Sequence, residues 1–429
     1  MHADPVALGG RLDHLELPLA HRVEQRAEEA AQPGGHRQVP VAGDGLHAAG
    51  RHPALDGPVE VTIVQRREVL PDDRRVLFQS VHGSHAPSVS IPGTTDILSR
   101  QVGGFMSSGS EVGPPFFDDL AVGDVFSAPG MTLAPGHAAL HQAITGDRLR
   151  LALDAPLYEA VTGTPGLLAH PALVCDVAIG QSTAPSGRVL GNLFYRGLAA
   201  RPVPVGTTLR TRTEVVALKT ASRGRGIAAL RCTTTDSDGA PVLDFWRCPL
   251  LPARTPEPPP HDADLDAVGR PVDVAALVPS WDLAPLRAEP LGPLFADLTP
   301  GTHRIVAGET VTSAPELARL TLNTAMTHTD ATAGAHGRRL VYGGHVIAIA
   351  LGHVTRLLPD LATVLAWHSC DHTGPTFEGD LLRTEVTLEQ LEPLADGGLV
   401  HFRARSAALS PGEETPREVL DWRAVGLMP

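Results

Sequence analysis

The sequence has few cysteines, no excess of positive charge and no long apolar run, and each shortage excludes a class of protein. Four cysteines are spread over 429 residues without a CxxC pair, which argues against a disulfide framework or a cysteine zinc site. The formal net charge is -13 and no long Lys/Arg cluster is present, so neither nucleic acid nor an anionic membrane is expected as a partner. A small molecule or another protein is the expected partner.

Hydropathy places the chain among globular proteins and predicts neither a membrane span nor an export signal. Hydrophobic residues make up 42% of the chain, but stretches such as HVIAIALGHVTRLL are too short and too interrupted to cross a bilayer. The first residues, MHADPVALGGRLDH, lack the basic-then-apolar order of a signal peptide. Together with the scattered cysteines, these features predict a cytoplasmic protein.

Composition divides the chain into an irregular first part and a regular remainder. Residues 1–110 are rich in Gly, Pro, His and Arg, so we expect a low-order extension there with one isolated candidate strand, VEVTIV. Met106 stands just before the first well-patterned segment, so an overextended reading frame would also account for this part. A Pro-rich acidic stretch over 253–290 predicts an extended linker between two further regions, 116–252 and 291–429.

The two regions that flank the linker carry the same motifs in the same order. FFDDLAVGDVF (116–126) is matched by LFADLTPGTHRI (294–305), and PVPVGTTLRTRTEVVAL (202–218) is matched by PTFEGDLLRTEVTLEQL (375–391). Both pairs are separated by roughly the same distance. This spacing predicts an internal duplication of one domain.

Each repeat is predicted to contain one long apolar helix followed by an antiparallel run of strands. The helices are HPALVCDVAIGQS in the first repeat and GGHVIAIALGHVTRLL in the second. The alternating strands are TTLRTRTEVVAL, GIAALRCTTTDS and PVLDFWRCPLL in the first repeat, and LLRTEVTLEQL, LVHFRARSAALS and EVLDWRAVGLM in the second. A sheet wrapped around one helix is a hotdog, so the predicted fold class is α+β, a double hotdog.

The motif order resembles that of the MaoC-type acyl dehydratases, the R-specific enoyl-CoA hydratase family. The motifs FxDLxxG, NTAxxH, YGGHV and GPTFEGD carry this resemblance over about residues 116–429, and NTAMTH, RRLVYGGHVIAIA and PVLDFWRC look most like the mesaconyl-CoA hydratase branch. The resemblance implies an enzyme that adds water to an acyl-CoA thioester or removes it, without a cofactor. Because related hotdogs often pair, it leaves open a homodimer or a pseudo-dimer within one chain.

The family's hydration motif is an Asp followed five residues later by a His, and both repeats depart from it. Asn323 and His328 occupy these positions in the second repeat, and Asp147 and Ala152 occupy them in the first. His328 is therefore the candidate base, and one catalytic site is expected, in the second repeat. Because an amide cannot exchange a proton at neutral pH, the source of the α-carbon proton stays open among a water held by Asn323, Asp330, and His328 itself.

Gly343 is the candidate donor to the thioester oxygen, because the YGGHV turn is expected to begin the central helix of the second repeat. Unpaired N–H groups and the positive end of the helix dipole point at a bound carbonyl oxygen there. Glycine also lets the thioester approach the backbone closely. Tyr342, Gly344 and His345 are candidate substrate contacts beside it.

The phosphates of CoA require basic residues at the mouth of the site. Arg338 and Arg339 are the candidates, and Arg196 and Arg201 from the first repeat are alternatives. A substrate with a second carboxylate would need one arginine inside the pocket. The sequence does not identify that residue.

Purely structural roles compete with each of these functional assignments. Asn323 could cap a helix or turn, and a Gly pair could merely allow a tight turn. Asp371 and His372, in CDHTGP, suggest a metal, but the scattered ligands lack metal-site spacing, so no metal is expected. For the whole chain, the alternatives are a thioesterase on the same fold and a non-catalytic acyl-binding hotdog subunit, which Asn323 and Ala152 keep open.

Overall fold

The computed structural model describes residues 113–429, so the extension predicted over 1–110, its candidate strand and Met106 lie outside the described residues. The strands are β1 (Val125–Ser127), β2 (Met131–Thr132), β3 (Gly191–Ala200), β4 (Thr208–Ala221), β5 (Arg225–Thr235), β6 (Pro241–Pro252), β7 (His303–Thr310), β8 (Thr363–Asp371), β9 (Leu381–Pro393), β10 (Gly398–Leu409) and β11 (Arg417–Met428). The α-helices are α1 (Pro135–Thr145), α2 (Arg150–Leu153), α3 (Ala155–Thr162), α4 (Pro171–Gln181), α5 (Ala284–Ala288), α6 (Ala314–Leu320) and α7 (Gly343–Leu357). Short 3-10 turns cover Phe117–Asp119, Ala184–Ser186, Ala275–Leu277, Phe295–Asp297 and Met326–His328.

The strands form one antiparallel sheet that passes through both repeats. Its order is β1-β4-β5-β6-β3-β8-β11-β10-β9-β7, and β2 pairs with β4 off this path. The first five strands in this order belong to the first repeat and the last five to the second. The two repeats have matching strand orders when each is read from its outer edge to the centre of the sheet. β3 and β8 join the repeats, with Phe194 opposite Asp371 and Arg196 opposite Ser369. The predicted α+β double hotdog is confirmed.

The sheet encloses one buried helix in each repeat, and these helices interlock with the opposite repeat. Residues 172–181 of α4 and 344–355 of α7 are buried. A Cβ added at Gly180 of α4 would lie 1.8 Å from the Thr321 carbonyl oxygen. A Cβ at Gly352 of α7 would lie 3.2 Å from the Thr145 carbonyl oxygen. Each central helix therefore packs on the loop that follows a helix of the other repeat.

Most elements that the sequence pattern predicted are present. The two central helices are α4 and α7, and the six alternating strands are β4 to β6 and β9 to β11. β3 and β8 had no counterpart in the prediction. β8 is buried along its first five residues, so it lacks the alternation of polar and apolar side chains that marks a half-exposed strand.

The proline-rich segment between the repeats packs against the rest of the chain. Leu265, Leu283 and Leu286 in this segment are buried, and α5 lies near its end. The segment therefore contributes side chains to the core. Within 113–429, none of the helices combines the length and the apolar character needed to cross a membrane.

Candidate active site

A cavity of about 260 Å³ lies where the two repeats meet. The second repeat contributes His328, Asn323 and Gly343 to its wall. The first repeat contributes Thr183 at the end of α4 and Arg247 on β6. The cavity is therefore built by both repeats, although the sequence had placed the site in the second repeat.

His328 ends the 3-10 turn Met326–His328, and its ring is 7% exposed. Its Nδ1 lies 2.8 Å from the Leu340 carbonyl oxygen, and since a carbonyl only accepts, Nδ1 carries the hydrogen and Nε2 keeps its lone pair. Burial lowers the pKa of His328 from 6.5 to about 4, and the Arg247 cation adds to the decrease. The imidazole is therefore neutral at physiological pH and has a free basic nitrogen.

Asn323 lies in the turn after α6 and contributes to the cavity wall. The preceding Leu322 has a φ of 59°, and the Asn323 Oδ1 accepts a 2.9 Å hydrogen bond from the Ala325 N–H. The side chain thus stabilises its own turn, as a capping role requires. Its Nδ2 remains as a donor, so this amide can orient a polar group but cannot transfer a proton.

Gly343 is the first residue of α7 and lines the cavity. A Cβ at this position would lie 2.6 Å from Nε2 of His372, so a side chain would collide with the His372 ring, which also lines the cavity. The N–H groups of the first helical turn lack acceptors within the helix. Tyr342 also lines the cavity, with its ring centroid 5.6 Å from that of His328 and its hydroxyl donating to the Asp176 carbonyl.

Besides the arginine pair described below, three of the predicted site residues do not line this cavity. Asp330 is exposed, and its carboxylate accepts hydrogen bonds from the Thr332 N–H and hydroxyl, which lower the pKa of Asp330. Gly344 packs against the first repeat, since a Cβ there would lie 2.0 Å from Oδ1 of Asp176. His345 is completely buried. The structure therefore places these three residues away from the cavity wall.

The predicted basic pair of the second repeat lies near the cavity rather than in it. Arg339 is exposed and pairs with Glu378 at 2.8 Å. The Arg338 guanidinium stacks on the Phe377 ring at 4.2 Å. His336, which does line the cavity, contacts the same ring at 5.4 Å between centroids. Arg338 is thus the member of the pair that lies close to the cavity without an ion-pair partner among residues 113–429.

The two alternative arginines of the first repeat both have carboxylate partners. Arg196 pairs at 2.7 Å with Asp371, a residue of the cavity wall. Arg201 pairs at 2.6 Å with Asp236 and is 44% exposed. Asp371 thus forms an ion pair with Arg196.

The first repeat has a buried cluster of acids and histidines at the positions that correspond to the hydration motif. Asp147 Oδ2 lies 2.9 Å from Nε2 of His170, and Asp176 Oδ2 lies 3.1 Å from Nε2 of His141. Burial alone would raise the pKa of Asp147, but its interactions with His170, the Leu149 N–H and His141 together more than offset the effect of burial, so the pKa is lowered. Ala152 supplies no functional group. His141 Nδ1 and Asp147 Oδ1 are buried without a hydrogen-bond partner among the described residues, and the cluster contributes no residue to the cavity wall described above.

Two functional groups of the cavity were not predicted to lie there. Arg247 is 2% exposed and lines the wall. His372 lines the wall as well, and burial lowers the pKa of His372 from 6.5 to about 4. An arginine inside the apolar strand VLDFWRCPLL is a signal that could have identified Arg247, since arginine is rarely buried without a partner.

The chain is similar to several known proteins. A conserved hypothetical protein from Mycobacterium tuberculosis with a double hotdog fold is 50% identical, with a TM-score of 0.69, over 75% of this chain and 100% of that one. A putative MaoC domain protein dehydratase from Chloroflexus aurantiacus is 25% identical, with a TM-score of 0.66, over 75% and 99% of the two chains. Mesaconyl-CoA hydratase from Cereibacter sphaeroides is 29% identical over 314 residues, which cover 70% of this chain and 90% of that one. No family model matches the chain.

Proposed function

We propose that this double-hotdog chain, which is similar to a MaoC domain dehydratase, adds water to a 2-enoyl-CoA thioester or removes it from the 3-hydroxyacyl product. Mesaconyl-CoA, named for the Cereibacter relative, is the proposed substrate. The observation that carries the proposal is the state of His328. Its imidazole is buried and neutral, has a free Nε2, and shares a cavity wall with the Gly343 backbone.

The proposed reaction begins with a water molecule between His328 and the β-carbon of the substrate. Nε2 of His328 takes a proton from the water as its oxygen bonds to the β-carbon, and the electron pair of the double bond moves toward the thioester oxygen. The N–H of Gly343 donates a hydrogen bond to that oxygen as negative charge develops on it. Nδ2 of Asn323 is the donor that orients the water or the thioester.

The proton added to the α-carbon is proposed to come from His328. Asp330 is exposed and bonded to Thr332, and the amide of Asn323 has no acidic proton to give at neutral pH. The imidazolium formed in the first step carries the proton taken from water and returns it to the α-carbon. One O–H bond and the π bond of the C=C break while one C–O and one C–H bond form, so the reaction balances without a cofactor.

We propose that the CoA portion leaves the cavity beside His336 and Arg338. His336 lines the cavity, and Arg338 shares the Phe377 ring with it, so a cation is available near the exit for a phosphate. The two repeats, joined through β3 and β8, would act as a pseudo-dimer within one chain.

The proposal is tested by incubating the purified chain with mesaconyl-CoA and crotonyl-CoA. We expect loss of the enoyl-thioester absorbance and formation of a product heavier by one water. His328→Ala should lower kcat by about 10²–10⁴-fold, because general base catalysis contributes that much. His303→Ala is the matched control, since His303 is exposed on β7, and it should leave kcat unchanged.

The same assay separates the alternative functions. Free CoA without a hydrated product would indicate a thioesterase. Binding of both thioesters without turnover would indicate a non-catalytic acyl-binding subunit. Full turnover by His328→Ala would refute the assignment of the base.

A further inference from the structure

Arg247 is a buried cation that points into the active-site cavity. It lies on β6, is 2% exposed and lines the cavity wall. Its Nη2 donates to the Ser182 carbonyl and the Ser186 hydroxyl, both at 2.7 Å. Its Nε is buried and has no acceptor among residues 113–429. The guanidinium is thus held by the hydrogen bonds of Nη2, while the N–H of Nε has no hydrogen-bond acceptor among the described residues.

The carboxylates of the cavity wall do not neutralise Arg247. Asp371 pairs with Arg196 at 2.7 Å, and Asp421 pairs with Arg403 at 2.6 Å. In the part of the chain that the structure describes, no carboxylate oxygen lies within ion-pair distance of the Arg247 guanidinium. The positive charge of Arg247 therefore has no ion-pair partner among residues 113–429.

The other groups around Arg247 are uncharged. Burial raises the pKa values of the Cys232 and Cys248 thiols and of the Tyr195 phenol, so all three stay protonated at neutral pH. The Ser182 carbonyl at the end of α4 supplies a favourable dipole but no negative charge. A buried charge without a counter-charge is costly to the fold, so the position favours binding of an anion from outside the chain.

We infer that Arg247 binds a second carboxylate on the acyl group, and that the chain prefers CoA thioesters of unsaturated dicarboxylic acids. This inference rests on the proposed function of the same cavity. A guanidinium presents parallel N–H groups that match a carboxylate. Mesaconyl-CoA carries such a carboxylate on its β-carbon, the carbon to which water adds.

The position of Arg247 favours the acyl carboxylate over the phosphates of CoA. Arg247 and His328 line the same cavity, so an anion bound to Arg247 lies in the chamber that holds the reacting carbons. The phosphates are separated from the thioester by the long pantetheine arm and belong at the exit. A carboxylate bound there would also cancel the cation beside His328 and thereby strengthen the base.

The test compares mesaconyl-CoA with tiglyl-CoA, in which a methyl group replaces the carboxylate. We expect the wild-type kcat/KM to favour mesaconyl-CoA by about 100-fold or more, since loss of one partner of a buried charge pair is that costly. Arg247→Met should lower the ratio of kcat/KM for mesaconyl-CoA to kcat/KM for tiglyl-CoA by about 100-fold, because tiglyl-CoA has no carboxylate for Arg247 to bind. Arg231→Met is the control, because Arg231 pairs with Asp244 at 2.9 Å and should leave the preference unchanged. An equal loss on both substrates would overturn the inference.

Binding to an inactive variant separates this inference from the proposed function. In the His328→Ala protein, calorimetry should show mesaconyl-CoA binding at least about tenfold more tightly than tiglyl-CoA, and adding Arg247→Met should abolish the difference. Selective binding by a wild-type protein that hydrates neither thioester would refute the hydratase and support the carboxylate site. Equal hydration of both thioesters would support the hydratase and refute the carboxylate site. If Arg247→Met does not fold, Arg247→Lys replaces it, because lysine keeps the positive charge but lacks the paired N–H donors of the guanidinium. We expect Arg247→Lys to reduce the preference for mesaconyl-CoA over tiglyl-CoA about tenfold. An unchanged preference in this variant would overturn the inference.

Discussion

At the scale of single residues, the chemistry depends on how the backbone prepares one histidine. The Leu340 carbonyl binds Nδ1 of His328 and leaves Nε2 as the basic nitrogen. Burial then keeps the ring neutral. Asn323, whose Oδ1 is bound to its own turn, retains a role in orientation only. In the proposed mechanism one imidazole therefore both takes and returns the proton.

The pH dependence of kcat/KM follows from the pKa of His328 in the free enzyme. The base is active when neutral, and burial lowers the pKa of His328 to about 4, so kcat/KM should stay constant from neutral pH down to about pH 5. It should fall with a slope of one proton below about pH 4. The measurement is a pH profile of initial rates with unfolding monitored in parallel. An acidic limb centred near the ordinary histidine pKa of 6.5 would contradict this assignment.

Sequence alone predicted some of the cavity groups that the second repeat supplies but missed His372 of that repeat and Arg247 of the first. His328 and Gly343 stand in recognisable motifs, and both line the cavity. Arg247 is 81 residues before His328 in the printed sequence, and only the packing of β6 against the end of α4 brings it to the same wall. Asp330 was a candidate because it is two residues from His328, but the turn points its side chain to solvent.

At the scale of elements, each central helix packs on the turn of the opposite repeat that corresponds to the hydration motif. Gly180 of α4 contacts the Thr321 carbonyl, close to the backbone of Asn323. Gly352 of α7 occupies the corresponding place against Thr145 and Asp147 but with more space. A glycine thus lies at the corresponding contact position of the central helix in both repeats. The tighter of the two contacts is the one with the turn that carries Asn323.

Alanine at these two glycines should therefore have unequal effects. At Gly180 the new Cβ would meet the Thr321 oxygen at 1.8 Å, so the catalytic turn must move. We expect the free energy of unfolding to fall by about 1–3 kcal/mol and kcat/KM to fall by at least about tenfold. At Gly352 the contact is 3.2 Å, and the helix propensity of alanine offsets the crowding.

Chemical denaturation and kinetics of the two variants make the comparison. Gly352→Ala should keep a kcat/KM close to that of the wild type and a free energy of unfolding within about 1 kcal/mol of it. If Gly180→Ala were as active as the wild type, the contact with Thr321 would not position the catalytic turn.

The strands that join the repeats mark the limit of pattern-based prediction at this scale. β8 is buried on both faces along its first five residues, and β3 also departs from alternation. Because β3 and β8 lie in the middle of the sheet, they lack the solvent-exposed face that would produce an alternation of polar and apolar residues. The elements that build the interface were therefore the hardest to predict.

At the scale of the whole molecule, several histidines are buried and neutral. Burial lowers the pKa of His345 from 6.5 to about 3 and the pKa of His353 to about 4. Neither ring nitrogen of His345 has a hydrogen-bond partner in the part of the chain that is described. These rings stay neutral in the folded protein at a pH at which they would be charged in the unfolded chain.

This arrangement predicts a stability that falls with acidification. Below pH 6.5 the unfolded chain takes up protons that the folded chain does not, so each buried histidine lowers the free energy of unfolding by about 1.4 kcal/mol per pH unit. For His345 the decrease continues until its folded pKa of about 3 is reached. Above pH 6.5 the ring is neutral in both the folded and the unfolded chain, so this loss of stability is absent there.

His345→Leu isolates the contribution of one ring. Denaturation between pH 6 and pH 4.5 should show a dependence on pH reduced by about 1.4 kcal/mol per pH unit relative to the wild type. Ile349→Val alters packing in the same helix without removing a titrating group, and it should change stability equally at each pH. An unchanged pH dependence in His345→Leu would show that this ring is already protonated in the folded protein or contacts solvent.

The proposed mechanism requires His328 and Gly343 to act on the same thioester from one cavity. A crystal structure of the His328→Ala protein soaked with mesaconyl-CoA tests this requirement, since the missing base should leave the substrate unreacted. We predict the thioester oxygen within hydrogen-bond distance of the Gly343 nitrogen, about 3 Å, and the β-carbon facing the space vacated by the imidazole. An acyl group bound outside the cavity, or a carbonyl pointing away from Gly343, would contradict the mechanism.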